Sequence, residues 1–110
     1  MKRILMTVIA VAVAGQVLVA QDANAGKKLY EKNECEKCHQ IAGKGNKIGK
    51  LDGVASKVSE AEIRRWLVEP LEMEKTLEKK PKLKMSSKIA KMDLKPADID
   101  ALVAYMLTLK

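Results

Sequence analysis

Two cysteines and a histidine stand together in Cys35-Glu36-Lys37-Cys38-His39, and the 110-residue chain has no other residue of either type. Thiols three positions apart on a helical turn can each add to one vinyl group of a porphyrin. The imidazole that follows is then delivered to the iron from the same side. This C-x-x-C-H spacing is the pattern of covalent c-type haem attachment. Cys35 and Cys38 would supply the thioethers, and His39 the proximal iron ligand. A zinc site would need a third cysteine or a second histidine, and the chain has neither. A redox dithiol of the thioredoxin kind needs a strand leading into a helix, whereas residues 26–34 read as a short helix running into the motif.

With the one histidine committed to one side of an iron, the opposite position falls to a methionine, a lysine, water or nothing. Met73, Met85, Met92 and Met106 are the methionines beyond residue 25. Methionine is also an ordinary filler of core gaps. That explains Met106, ten residues inside the last expected helix.

These groups must be positioned by a small frame. Ser59-Glu60-Ala61-Glu62 is a capping box, and Ile63, Trp66 and Leu67 follow at helical spacing before Pro70 closes the segment. Pro96 suits a first helical position, and Ile99, Leu102, Val103 and Met106 then mark one apolar face. Between residues 41 and 53, Gly43, Gly45, Gly49 and Gly53 break any period and predict a loop. Residues 71–80 are charged, and Met73 and Leu77 permit a short helix there.

The N-terminus reads as an export signal. Met1-Lys2-Arg3 is a positive start, residues 4–20 are an apolar run, and Ala23-Asn24-Ala25 has the small-x-small form of a signal-peptidase site. Residues 1–25 are therefore expected to be cleaved after Ala25, leaving one domain over residues 26–110, outside the cytoplasm. A retained anchor is the alternative, since the run is near the lower limit of about 17 residues for a spanning helix. The remaining chain has three aromatic residues, Tyr30, Trp66 and Tyr105, and no Phe. So thin a core needs a staple. The single Cys35 to Cys38 disulfide available would close too short a loop to constrain much of the chain, whereas a cofactor filling the middle would serve.

Over residues 26–110 the sequence resembles the class I cytochromes c. Gly26 and Tyr30 precede the C-x-x-C-H motif, and Leu102 and Tyr105 stand in Asp-Ile-Asp-Ala-Leu-Val-Ala-Tyr near the C-terminus. The resemblance implies an all-α fold with three to five helices around one covalently bound haem c, the N- and C-terminal helices crossing with Gly26 allowing close approach. It places Met85, in Lys84-Met85-Ser86-Ser87, at the sixth iron position, with Met92 as second choice. Two departures from the family pattern stand out. Gly49-Lys50 occupies the place of a Gly-Pro whose Pro carbonyl holds the proximal histidine, so a carbonyl near residues 48–51 must serve instead. Ser86 follows Met85 where Pro is usual. Trp66 sits where the family can bond a haem propionate, although packing is the expected role of one large aromatic on an apolar helix face.

What the resemblance implies is a periplasmic electron-transfer protein, and not an enzyme. The alternative is a haem sensor or peroxidase-like protein with an open sixth position. Residues 26–110 carry 19 basic and 13 acidic groups, net +6, and residues 75–95 account for all of it, with eight lysines against Glu78 and Asp93. Around a haem edge on the Met85 side, such a cluster would steer acidic faces of redox proteins or membrane respiratory complexes. Nucleic acid is not expected as a partner, because no aromatic platform interleaves the lysines. A monomer is expected.

Overall fold

A computed structural model describes the backbone of residues 13–110 and the side chains of residues 22–110. The basic start and residues 4–12 of the apolar run lie outside the described residues. Among the described residues six α-helices succeed one another: α1 (Val13–Lys32), α2 (Val54–Lys57), α3 (Glu60–Val68), α4 (Pro70–Lys75), α5 (Met85–Ile89) and α6 (Pro96–Leu107). The four longest fall within the three to five helices expected, and α2 and α5 are short additions of four and five residues. The only strands among the described residues are β1 (Gln40–Ile41) and β2 (Lys44–Gly45). None of the described helices is long and apolar enough to cross a membrane.

The first helix runs well upstream of residue 26, because residues 13–25 are mostly Ala, Val, Leu and Gln, with Gly15, Asp22 and Asn24 among them, and no proline interrupts them. The point after Ala25 therefore lies inside α1. The helix stops where Asn33 turns back, its backbone N–H and its Nδ2 both donating to the Leu29 carbonyl, at 3.0 and 2.9 Å. Glu34 then takes a left-handed conformation, φ 55°, of the kind that terminates helices. The third helix starts as its sequence predicts, with the Ser59 hydroxyl accepting from the Glu62 N–H at 3.2 Å. Pro70 ends α3 and opens α4 at its first position. The last helix begins at Pro96, with the Asp98 carboxylate accepting from the Lys95 N–H at 3.0 Å.

α1 and α6 cross at the position the sequence marked. A Cβ on Gly26 would overlap the Ala101 carbonyl oxygen and come within 2.7 Å of the Tyr105 Cβ, so only glycine permits this approach. One turn on, Tyr30 meets Tyr105 edge to face, with ring centroids 5.8 Å apart at 67°. Tyr30, Ile63, Leu102, Val103 and Met106 form the buried cluster, so α3 closes the crossing from one side. Arg64 on α3 reaches Asp100 on α6 at 2.6 Å across the rim of this contact. The packing face of α6 is the one read from the sequence. It takes Leu67 from α3, while Trp66 is half-buried and is not among the residues packed on the cluster. Val103, at 1% exposure, is the most deeply buried side chain of this cluster. At about 1.5–3 kcal/mol for each fully buried large aliphatic side chain, a core this small contributes little for a domain.

Candidate haem-attachment site

The cysteine motif leaves α1 through Glu34 and folds at once into a 3-10 turn, Cys35–Lys37. The Cys35 carbonyl accepts from the N–H groups of both Cys38, at 3.1 Å, and His39, at 2.9 Å. Cys35, Cys38 and His39 are thus wound onto one turn, the arrangement the spacing predicted. Both thiols are free and half-buried. The hairpin follows, pairing Gln40 with Gly45 and Ile41 with Lys44. Its two central residues, Ala42 and Gly43, have φ of 51° and 82°, the positive values of a tight primed turn. Asp52 secures that turn by accepting from the Ala42 N–H at 2.8 Å.

Beyond the hairpin the chain comes back against the motif. Asn46 is the hub of this return. Its backbone N–H lies 3.0 Å from the carbonyls of both Glu36 and His39, and its Nδ2 donates to the Lys37 carbonyl at 3.1 Å. Its Oδ1 accepts from the Ile48 N–H at 3.0 Å and so caps the next 3-10 turn, Lys47–Gly49. That turn delivers the Gly49 carbonyl to His39 Nδ1 at 3.0 Å. Glycines flank the hub for a physical reason. A Cβ on Gly45 would overlap the His39 carbonyl oxygen, and one on Gly49 would overlap that of Cys38 and stand 2.9 Å from His39 Nδ1.

The electrostatics favour a ligand over a nucleophile. Burial holds the His39 imidazole below its usual pKa, against the bond to Gly49 which raises it, so the ring is neutral at pH 7. Because a carbonyl can only accept, Nδ1 carries the proton and Nε2 keeps its lone pair free for a metal. Burial likewise pushes the Cys35 thiol up to about 11. A redox dithiol needs a lowered thiol pKa, so the surroundings of Cys35 disfavour that chemistry. Two unbridged thiols and one neutral imidazole on a single turn, in a cradle that only glycines allow, fit a covalently held porphyrin iron.

The remaining sequence-marked residues are apart from this turn. Met85 is the first residue of α5 and half-buried, and Met92 follows that helix, also half-buried. Leu94, beside Met92, packs against the core cluster. Met73 is buried on α4 and Met106 lies in the core, as its place in the last helix implied. All eight lysines of residues 75–95 are exposed. Asn46 and the buried Glu74 were not singled out from the sequence. For Asn46 a signal existed: an Asn between glycines, three residues before Gly49, is a turn cap. Glu74 gives no such signal among its charged neighbours.

An all-α domain with this turn and this helix crossing is the architecture of a small c-type cytochrome. The whole of residues 23–110 matches the family model for cytochrome c, and the chain belongs to that family. No curated protein and no solved structure matched the chain in the same comparisons. Membership brings one covalently bound haem c and haem-based electron transfer as the class of function.

Proposed function

We propose that this protein is a one-electron carrier of the periplasm and not an enzyme, exported as a precursor cleaved after Ala25. Cys35 and Cys38 form the thioethers, His39 is the proximal ligand and Met85 the sixth, with Met92 the second choice. The observation that carries this reading is the bond from His39 Nδ1 to the Gly49 carbonyl, on the same turn as the two free thiols. When bound, haem c supplies a one-electron couple at its iron. The chain's own residues do the rest. The Gly49 carbonyl holds the Nδ1 proton, fixing the tautomer and the plane of the ring. A thioether from Met85 would favour the reduced state and keep small ligands away. The exposed lysines of residues 75–95 offer an acidic redox partner a steep, salt-sensitive attraction. Of the eight, Lys75 alone forms an ion pair among the described residues, with Glu72 at 2.9 Å.

Optical spectra of the oxidised and reduced holoprotein test the reading, on wild type and on Met85→Ala. The expected result is a low-spin wild type with a far-red methionine-to-iron band that the variant loses. A high-spin wild type that binds carbon monoxide when reduced would sink the carrier in favour of a sensor or peroxidase-like site. N-terminal sequencing of exported protein checks the cleavage point. A rate of reduction by an acidic partner that ignored ionic strength would remove the role given to the lysines.

A further inference from the structure

Glu74 is 6% exposed, and a carboxylate is seldom buried unless something holds it. Its partner is Ser86. The Ser86 N–H donates to Oε1 at 2.7 Å and the Ser86 hydroxyl to Oε2 at 2.9 Å, so both carboxylate oxygens grip one residue. That residue is the immediate neighbour of Met85 and lies in the first turn of α5, where Lys84 gives no side-chain cap. An otherwise orphaned helix N–H is thereby satisfied by an anion from another helix. The Glu74 backbone joins in, its carbonyl accepting from Lys80 Nζ at 2.9 Å and from the Leu77 N–H at 3.2 Å.

Glu74 is also the sole such tether. Among the described residues, every hydrogen bond joining residues 80–93 to the rest of the fold ends on Glu74. The segment is otherwise held by the packing of α5 on α4 and, at its far end, by Leu94, which packs on the core. Met85 has three rotatable side-chain bonds and stands on a five-residue helix, so its position is only as fixed as the chain that carries it.

The geometry points to Glu74 as the positioning residue of the sixth axial ligand, acting through Ser86 to hold Met85 at the iron. This rests on the reading of Met85 as that ligand. It also gives the Ser86 departure a purpose. A proline at 86 has neither N–H nor hydroxyl and would lose both bonds, so Ser86 and Glu74 form one device. The charge-assisted form of these bonds makes the carboxylate matter beyond its shape.

Imidazole binding to the oxidised holoprotein reads how easily Met85 is displaced. Glu74→Gln, which keeps the shape, is expected to raise imidazole affinity about tenfold, on the order of one charge-assisted hydrogen bond. Ser86→Pro should raise it at least as much, although it restores the family's usual residue. The double variant should match the larger single effect, because the two residues share one interaction. The exposed Glu72→Gln is the control and should leave affinity unchanged. Wild-type affinity in both Glu74→Gln and Ser86→Pro, with the far-red band intact, would overturn the clamp. Survival of that band in Met85→Ala would instead overturn the ligand reading, and the clamp's purpose with it. If a variant folds poorly, the ratio of imidazole affinity to thermal stability in Glu74→Gln still separates ligand holding from general loosening, since a purely structural role lowers stability and leaves affinity at the wild-type value.

Discussion

The turn that holds His39 and the segment that carries Met85 are built on opposite principles. Residues 35–49 are locked by backbone. Cys35, Glu36, Lys37, His39 and Gly49 all use main-chain carbonyls in the lattice around Asn46 and His39, and two glycines let the strands of the turn touch. Among the described residues, 80–93 are hydrogen-bonded to the rest of the fold through Glu74 alone, by its carboxylate and its backbone carbonyl, and they carry exposed lysines along their length. The His39 turn is therefore held by many hydrogen bonds within residues 35–49, and the Met85 segment by a contact from another helix. A rigid side can orient a permanent ligand, while a tethered side can admit a ligand late and present a charged face to partners.

Substitutions can break this contrast. The largest effect is expected from Gly49→Ala, where a Cβ meets the Cys38 carbonyl and the His39 ring. Overpacking of this kind costs about 1–3 kcal/mol. Thermal unfolding of the holoprotein should show it, and an unchanged midpoint would mean that the turn is not backbone-locked.

Asn46→Ala comes next. It removes the bond to the Lys37 carbonyl and the cap on the Ile48 N–H, with an expected loss of about 1–2 kcal/mol. The far-red band should survive, because the damage lies on the His39 side. Loss of the band with unchanged stability would erase the distinction between the two sides.

Tyr30→Phe probes the shared floor of the two regions and should have the smallest effect. The Tyr30 hydroxyl is buried without a hydrogen-bond partner among the described residues, and burial above all pushes its pKa from 10.0 up to about 12. A folded-state value above the unfolded one contributes stability that is full below pH 10 and is lost as pH rises through 12. The variant should gain up to about 1 kcal/mol at neutral pH and lose less stability between pH 10 and 12 than wild type. An identical alkaline profile would place the alkaline loss on other groups, Tyr105 among them, which burial also raises.

Much of the rigid side was legible in the sequence, its hub Asn46 excepted. The motif fixed the turn, the glycines fixed where the chain comes back, and the departure at Gly49-Lys50 resolved into Gly49 itself as the acceptor for His39. The crossing of α1 and α6 was legible through Gly26, Tyr30, Leu102 and Tyr105. Other features were not. The upstream reach of α1 followed from helix-forming residues read only as an export signal. Glu74 looked like one more charge on a polar stretch, since nothing local marks a carboxylate that will be buried by a residue twelve positions away.

By itself the sequence determined the haem-attachment turn, the starts of α3 and α6 and the sign of the charged face. All of these rest on interactions within a few residues: caps, proline geometry and thiol spacing. Only the tertiary structure decided which carbonyl holds His39, that Asn46 ties the turn together, and that Glu74 grips the residue beside Met85. Those contacts join segments whose approach is set by burial of the α1, α3 and α6 faces, and burial is a property of the whole chain.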